Sequence, residues 1–218
     1  MMLHTIKLEA THLANPPCQI FISAGIICFS VHPTTSDIFL LLGEEETQET
    51  FCDFGGSINP SESVEGAAAR EFAEESLCVI YVHGVEEIYD KYENSVKQHL
   101  LNGNYLLKLE ILQNTVDGVD YVRVYFLKQV PWQPQVKDIF QQVKRAIVEG
   151  TIIHPAVQFN QDTFTVEKQW LEKNKIKYWS LERLKYAIKN NGKYKHKRFR
   201  KTFVPVLVIV IQQLLLFS

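Results

Sequence analysis

The sequence predicts an α/β or α+β sandwich, in which helices pack on β-strands around a buried core. Apolar, β-branched runs typical of strands are mixed with segments of helical periodicity along the whole chain. The chain has 218 residues, of which 46% are hydrophobic and 22% charged, so it can bury a sizeable core. A formal net charge of −2 does not by itself indicate binding to nucleic acid or a membrane surface.

The first part of the chain predicts an arm, a hairpin and a helix. Residues 1–18 end in Asn-Pro-Pro and are predicted to form an irregular arm. The β-branched runs QIFISAGIICFSV and IFLLLGEE flank HPTTSD, whose turn chemistry predicts a hairpin. A loop with Gly-Gly and Asn-Pro follows at 47–61, and a helix is predicted at about 62–75.

The middle of the chain predicts a second hairpin between helical segments. A strand is predicted for LCVIYVHGV, and a polar, partly helical insertion is predicted for residues 86–103. NYLLKLEIL and VDYVRVYFLKQV flank a turn containing Asp117-Gly118, the clearest hairpin signal in the chain. VKDIFQQVKRAIVEG has helical spacing, with an apolar stripe of Val136, Ile139, Phe140, Val143 and Ile147.

The C-terminal part predicts two helices after an ambiguous stretch at 150–165. A strand is expected at 176–179, and a helix from an N-cap at Ser180 to a stop before Asn191-Gly192. The apolar run 203–217 is interrupted by Pro205 and is shorter than the roughly 20 residues that span a bilayer. A buried terminal helix is therefore preferred, with a tail anchor as the alternative, and no stable membrane insertion is expected.

The cysteines and the N-terminus predict a cytoplasmic protein. None of the four cysteines belongs to a C-x-x-C pair, so buried thiols in a reducing compartment are favoured over a zinc site or disulfides. The first 18 residues have neither a basic segment nor a continuous apolar segment, and they do not predict a secretory signal.

The stretch GGSINPSESVEGAAAREFAEESLC, residues 55–78, concentrates carboxylates on a short helix. At about 100° per residue, Glu71, Glu74 and Glu75 share one arc of the helix. The preceding turns of that arc carry Val64 and two alanines, so the glutamates are predicted to face a cleft. The alternative is a solvated acidic face.

Carboxylates crowded into a cleft require compensating charge. They repel one another and lie toward the helix C-terminus, where the helix dipole disfavours negative charge. Arg70 can pair with Glu74 at i+4 or with Glu62, but one arginine cannot neutralise three glutamates. The pattern therefore predicts a hard divalent cation, Mg²⁺ or Mn²⁺, which takes oxygen ligands.

The spacing of this stretch resembles the box of the Nudix hydrolases. Gly56 is followed after five residues by Glu62 and after seven more by Arg70-Glu71-Phe72-Ala73-Glu74-Glu75. Only the final glycine of the box is missing, since this chain has Leu77 there. The resemblance implies a Nudix-type α/β/α sandwich around a mixed β-sheet. Residues 19–218 would form one domain, with insertions near 86–103 and 131–165 and an apolar C-terminal helix.

The resemblance also implies an activity and its residues. The family hydrolyses a nucleoside diphosphate linked to another moiety, by attack of water on phosphorus, as a metal-dependent pyrophosphohydrolase. Metal ligands are implied at Glu71, Glu74, Glu75 and the carbonyl of Gly55, and water activation at Glu71 or Glu74. A further catalytic glutamate outside the box is expected at Glu172, with Glu167 as second choice. Gly56, Glu62 and Arg70 would be structural, the last two as an ion pair.

Two departures from the box bear on this expectation. A leucine adopts the left-handed conformation at a cost, so the helix is predicted to end differently at Leu77. Phe54 stands where many members have proline, and it is interpreted as a packing residue. Glutamine at position 71 or 75 is expected to lower turnover by orders of magnitude and to leave the fold intact.

The substrate is less well defined by the sequence. A small nucleotide or nucleotide-sugar is favoured, and mRNA decapping is an alternative because the basic stretch from Lys193 to Lys201 could contact the phosphates of capped RNA. The insertions are expected to shape the substrate cleft or a homodimer interface. A catalytically inactive Nudix-fold binding module is a further alternative, although this chain keeps every glutamate of the box.

Overall fold

The computed structural model describes residues 4–8, 20–82, 89–114, 120–161 and 163–216. Its strands are β1 (His4–Leu8), β2 (Ile20–Val31), β3 (Ile38–Glu45), β4 (Thr50–Cys52), β5 (Phe54–Ser57), β6 (Leu107–Asn114), β7 (Asp120–Gln129), β8 (Val157–Asn160), β9 (Thr163–Val166), β10 (Lys173–Ser180), β11 (Lys193–Tyr194) and β12 (Lys197–Phe199). Its α-helices are α1 (Val64–Ser76), α2 (Tyr89–Leu101), α3 (Val136–Val148), α4 (Leu181–Lys189) and α5 (Val204–Leu216), and a 3₁₀ turn spans Lys168–Leu171.

Within the described residues, one mixed sheet organises the fold. Its strand order is β1-β6-β7-β2-β3-β4-β12-β11, with β10 added beside β3 and β5 beside β2. The long strand β2 runs parallel to β7 and antiparallel to β3 and β5. Strands β8 and β9 form a separate hairpin. Because β5 pairs with the first half of β2, the loop before α1 is attached to the centre of the sheet.

The sheet is covered by helices on both faces. Alternate residues of β2 point to opposite faces, since side chains of a strand repeat with a period of two. Ile26 and Cys28 join a core cluster with α1, α2 and α3, whereas Ile27 and Phe29 join a second cluster with α4 and α5. The predicted α/β/α arrangement around a mixed sheet is therefore confirmed.

Several predicted elements are observed with small shifts. The first hairpin forms between β2 and β3, and β6 pairs with β7 in the register of the second hairpin, although its turn lies outside the described residues. The Ser180 hydroxyl caps α4 by accepting from the Arg183 N–H. The C-terminal apolar run forms α5, whose inner side is buried, and no helix in the described part of the chain is long and apolar enough to cross a membrane.

Other elements differ from the prediction. Residues 4–8 of the expected arm form β1, which pairs in parallel with β6. The expected strand LCVIYVHGV is wrong over 77–82, where the chain is irregular, and its last residues lie outside the described part. Val79 and Ile80 are buried in the core without joining the sheet, so their apolar character reflects burial alone. The ambiguous stretch contains the β8–β9 hairpin.

Helix α1 ends at Leu77 in the left-handed conformation, which a leucine side chain disfavours. Leu77 has φ 54° and ψ 30°, and the Cys78 N–H donates to the Ala73 carbonyl across the turn. The left-handed conformation costs a leucine about 1–2 kcal/mol. Leu77 is fully buried, and burying a leucine side chain contributes about 1.5–3 kcal/mol. Core packing therefore replaces the missing glycine, and the expected different ending is wrong.

His154 supports this helix end from the neighbouring loop. The Ala156 N–H donates to Nδ1 of His154 at 3.1 Å, so the proton is on Nε2, which lies 3.4 Å from the Leu77 carbonyl oxygen. The ring is packed edge-on against Tyr89 and Trp170. Burial lowers the pKa of His154 from 6.5 to about 4, partly opposed by the bond to Leu77. The folded protein therefore holds this histidine neutral.

We expect the protein to lose stability from His154 as the pH falls from about 6.5 to 4. In this pH window His154 is protonated in the unfolded chain but stays neutral in the folded protein. The pKa shift corresponds to a loss of about 3 kcal/mol at most in the free energy of unfolding. Urea unfolding of the wild-type protein and of His154→Gln, at several pH values, isolates the contribution as the difference between two curves. Parallel curves between pH 7 and 4.5 would contradict this assignment.

Candidate active site

Glycines in β2 and β5 allow the carboxylates to approach the sheet. A Cβ at Gly56 would overlap the Glu71 carboxylate, and one at Gly25 would overlap Asp53. A Cβ at Gly55 would lie 2.6 Å from the Gly25 Cα. The N–H of Gly55 donates to Oε2 of Glu75 at 2.7 Å. The Gly-Gly pair thus brings the loop before α1 into contact with Glu71 and Glu75 of that helix.

Arg70 links the loop to the helix, as the sequence suggested. Its Nε and Nη2 donate to the two carboxylate oxygens of Glu62 at 3.0 and 3.1 Å, and Nη2 also donates to the Ser57 carbonyl at 2.8 Å. Its Nη1 lies 2.7 Å from Oε1 of Glu71 and 3.4 Å from Oε2 of Glu74. Both predicted pairings of Arg70 are therefore observed together. The forked contact with Glu62 fixes the loop conformation.

Glu75 has a different partner, which the sequence did not indicate. Its Oε1 lies 2.9 Å from Nζ of Lys173 at the start of β10, and both side chains are buried. The same ammonium group donates to Sγ of Cys52 at 3.0 Å. Lys173 is one of several lysines in LEKNKIK, and only the pairing of β10 with β3 turns it inward.

Burial makes the charged forms of these carboxylates unfavourable. It raises the pKa of Glu71 despite the contact with Arg70. It raises the pKa of Glu74 to about 7, and the charges of Glu71, Glu93 and Glu172 add to the rise. It also raises the pKa of Glu75, although the neighbouring charge of Lys173 opposes this rise. These groups are close enough to repel one another, so an added cation would stabilise all of them.

A cleft of about 230 Å³ lies at the start of the box. Its wall combines acidic groups, two arginines and the glycine loop, formed by Ser23, Ala24, Asp53, Gly55, Gly56, Ser57, Glu75, Arg123, Tyr125, Glu172 and Arg200. Asp53, Arg123 and Arg200 were not among the predicted site residues. Arg200 belongs to the basic stretch noted in the sequence, whereas Arg123 is a single arginine within the largely apolar strand β7.

Asp53 is a buried carboxyl group two residues before Gly55. It is 5% exposed, and burial raises its pKa to about 6, while the charges of Lys173 and Arg123 oppose this rise. A buried aspartate is rarely found without a partner. In the sequence, the only indication that Asp53 belongs to the site is its position two residues before Gly55. It adds another oxygen donor to the cleft.

The two glutamates proposed outside the box are separated by the structure. Glu172 lines the cleft, and its charge contributes to raising the pKa of Glu71. Glu167 instead accepts hydrogen bonds from Gln158 and Gln169 at 2.5 and 2.7 Å, beside the β8–β9 hairpin. The position of Glu172 agrees with the first choice, while its catalytic role stays a prediction.

The described residues contain no group of three or more His, Cys, Asp or Glu side chains arranged to hold a metal ion. Arg70 holds Glu71 and Glu74, and Lys173 holds Glu75. The chemistry of the donors nevertheless fits a hard cation, because the carboxylates of Asp53, Glu75 and Glu172 line one cleft and Glu71 lies against Gly56 in its wall. The two basic side chains carry the positive charge that these carboxylates require in this arrangement.

Gly56→Ala is expected to lower turnover by about 100-fold, since a displacement of about 1 Å in a catalytic group can have that effect. The new methyl group would displace the Glu71 carboxylate. Steady-state rates and melting temperatures check the result. The matched control is Gly66→Ala, whose Cβ would meet Ser63 Oγ at 3.1 Å. Turnover of Gly56→Ala within threefold of wild type would show that Glu71 need not occupy its observed position.

Comparison with known proteins is informative only at the level of overall shape. No protein-family model matches the chain, and no curated protein matches it by sequence. Solved structures of similar shape include the Nudix hydrolase RenU of M. smegmatis, with 8% identity, a TM-score of 0.48, and coverage of 88% of this chain and 84% of that one.

Two further similar structures have known ligands or substrates in their names. The NUDIX domain of Shewanella oneidensis NrtR, complexed with ADP ribose, has 12% identity and a TM-score of 0.46, and the match covers 89% of this chain and 88% of that one. A C. elegans Ap4A hydrolase has 13% identity and a TM-score of 0.42, with coverage of 91% and 98%. Likeness of this degree does not define an activity or a substrate for this chain.

Proposed function

We propose that this chain is a Nudix-type pyrophosphohydrolase, which hydrolyses a nucleoside diphosphate linked to another moiety and depends on Mg²⁺ or Mn²⁺. The observation that carries the proposal is the contact of the glycine loop with two helix glutamates beside a cleft lined by Gly55, Gly56 and Glu75. Glu71 contacts the Gly56 backbone, Glu75 accepts from Gly55, and Glu172 approaches from another element. The position of Gly55, Gly56 and Glu75 at this cleft supports the resemblance of the spacing to the Nudix box.

The residues of the cleft can divide the work of hydrolysis. Arg123 and Arg200 provide positive charge for the phosphate oxygens, and the Gly55-Gly56 backbone allows close approach of the diphosphate. Glu71 or Glu74 can orient the attacking water and accept its proton, because burial raises the pKa of both groups, to about 7 for Glu74, and a raised pKa favours proton uptake. A divalent ion, when bound by Glu71, Glu74, Glu75 and Gly55, would neutralise phosphate charge and acidify bound water.

A binding module without catalysis is the second candidate. It is favoured by one observation, namely that Arg70 and Lys173 already compensate the charges of the helix glutamates in the described residues. Such a module would bind a nucleotide diphosphate through Arg123 and Arg200 and release no phosphate. Both candidates place the ligand in the same cleft, so only turnover distinguishes them.

A substrate panel with and without metal tests the proposal. Nucleoside triphosphates, nucleotide sugars, dinucleoside polyphosphates, NADH and capped RNA are incubated with Mg²⁺, with Mn²⁺ or with EDTA, and products are resolved by chromatography. We expect metal-dependent cleavage of a phosphoanhydride in at least one compound. Cleavage of capped RNA alone would favour decapping. Binding of a nucleotide without cleavage of any compound, in either metal, would favour the binding module.

A further inference from the structure

A second, basic cavity adjoins the acidic cleft. It encloses about 690 Å³, and its lining consists of Gln48, Thr50, Arg123, Asn191, Gly192, Lys193, Arg198, Phe199, Arg200, Lys201 and Thr202. Five of these residues are basic and none is acidic. The volume falls within the range of about 300–1,000 Å³ typical of small-molecule sites. In a chain whose net charge is −2, this concentration of positive charge is local.

Two arginines belong to both spaces. Arg123 and Arg200 line the acidic cleft as well as the basic cavity, so the two spaces meet at these two residues. A ligand with its diphosphate at the glutamates would therefore extend past these arginines. The β11–β12 hairpin and residues 200–202 after it form much of the wall, because β12 pairs in parallel with β4 and brings the basic stretch beside the sheet.

Part of this positive charge has no partner among the residues that the structure describes. Nε of Arg123 is buried and has no hydrogen-bond partner within the described residues. Arg200 is paired with Glu45, where its Nε lies 3.0 Å from Oε2. In contrast, Lys193, Arg198 and Lys201 form no ion pair with any described residue. The cavity thus has one buried unpaired donor and three unpaired cations on a concave surface. Such a surface is suited to binding an anion rather than a neutral group.

We propose that the basic cavity binds a further phosphate group of the substrate, separate from the diphosphate that is cleaved. The ligand class is thus a nucleoside diphosphate compound carrying at least one additional phosphate ester. Either a small nucleotide with a second phosphorylated position or the 5′ end of an RNA chain has this chemistry. The inference rests on the proposed function for the position of the diphosphate, but phosphate binding can be measured without turnover.

Binding in EDTA tests the inference. The probes are AMP, adenosine 3′,5′-bisphosphate and a 5′-phosphorylated RNA pentamer, titrated by calorimetry or fluorescence anisotropy. The test variant is Arg198→Ala/Lys201→Ala. The control is Lys185→Ala/Lys189→Ala, which removes the same charge from exposed positions of α4. Melting temperatures establish that all proteins are folded.

The wild-type protein is expected to bind the bisphosphate or the pentamer at least tenfold more tightly than AMP. The affinity of Arg198→Ala/Lys201→Ala for these two probes should be about tenfold lower than that of the wild type, as expected when hydrogen bonds to charged groups are removed. For the pentamer, the slope of log affinity against log salt should fall by roughly 1.4, about 0.7 for each lost phosphate contact. If the pentamer binds more strongly than the bisphosphate, the additional phosphate belongs to an RNA chain. If the two probes bind equally, it belongs to a small nucleotide.

Three results would overturn the inference. The first is unchanged affinity and unchanged salt slope in Arg198→Ala/Lys201→Ala. The second is an equal loss in the Lys185→Ala/Lys189→Ala control, which would indicate attraction to positive charge in general. The third is the failure of both phosphate-rich probes to bind the wild-type protein better than AMP. A protein that binds these probes and cleaves no phosphoanhydride would retain this cavity assignment and lose the proposed function.

Discussion

Glu71→Gln is expected to lower turnover by about 10²–10⁴-fold, the usual range for losing a group that transfers a proton in the transition state. Glutamine keeps the shape of the side chain and can accept the bond from Arg70 Nη1, which lies 2.7 Å from Oε1 of Glu71. It cannot take up a proton from water or supply negative charge to a cation. Because Arg70 also keeps its forked contact with Glu62, we expect little change in melting temperature.

The matched control for this prediction is Glu65→Gln on the same helix. Glu65 is partly exposed, and its Oε1 lies 3.9 Å from Nζ of Lys108, outside the candidate site. Its variant should retain wild-type turnover with every substrate that the protein cleaves. A Glu71→Gln protein whose kcat falls within threefold of wild type, in saturating Mg²⁺ and Mn²⁺, would remove Glu71 from the mechanism.

Lys173→Met is expected to destabilise the protein by about 3–5 kcal/mol, the usual result of leaving one partner of a buried ion pair uncompensated. Lys173 Nζ lies 2.9 Å from Oε1 of Glu75, and their side chains are 0% and 4% exposed. Glu75→Gln should destabilise the protein for the same reason, since it leaves the ammonium group without its charge partner. The sequence alone suggested that this substitution leaves the fold intact, and the ion pair predicts otherwise.

A double-mutant cycle measures this pair. Denaturant unfolding of wild type, both single variants and Lys173→Met/Glu75→Gln should show that the double variant regains roughly 2–3 kcal/mol relative to the sum of the single effects. The glutamine can still accept the N–H of Gly55, so the loop remains attached. Additive effects would mean that the two charges do not stabilise each other, and Glu75 would then be available to other cations.

Local spacing was sufficient for much of this interpretation. The β-branched composition of QIFISAGIICFSV and IFLLLGEE and the turn chemistry between them predicted the β2–β3 hairpin correctly. The i, i+4 spacing of Arg70 and Glu74 and the position of Glu62 predicted an arginine network that is observed. These features depend on neighbours within a few residues along the chain, which is the range over which backbone geometry is set by sequence.

Errors arose where tertiary burial changed a local preference. Leu77 adopts a left-handed conformation that its own side chain disfavours, because the surrounding core encloses that side chain. The run at 79–80 is apolar because it is buried, although it forms no strand. In both cases packing by distant elements outweighs an intrinsic preference of about 1–2 kcal/mol.

By itself, the sequence determined the helix that carries the glutamates, the glycine loop before it and the layered fold class. Only the tertiary structure decided which charges meet: Lys173 with Glu75, Arg123 and Arg200 between two cavities, and Glu172 rather than Glu167 at the cleft. The physical reason is the separation along the chain of the residues that determine each feature. Helix and strand periodicity are determined by residues a few positions apart, whereas these contacts join strands and loops that only the packed sheet brings together.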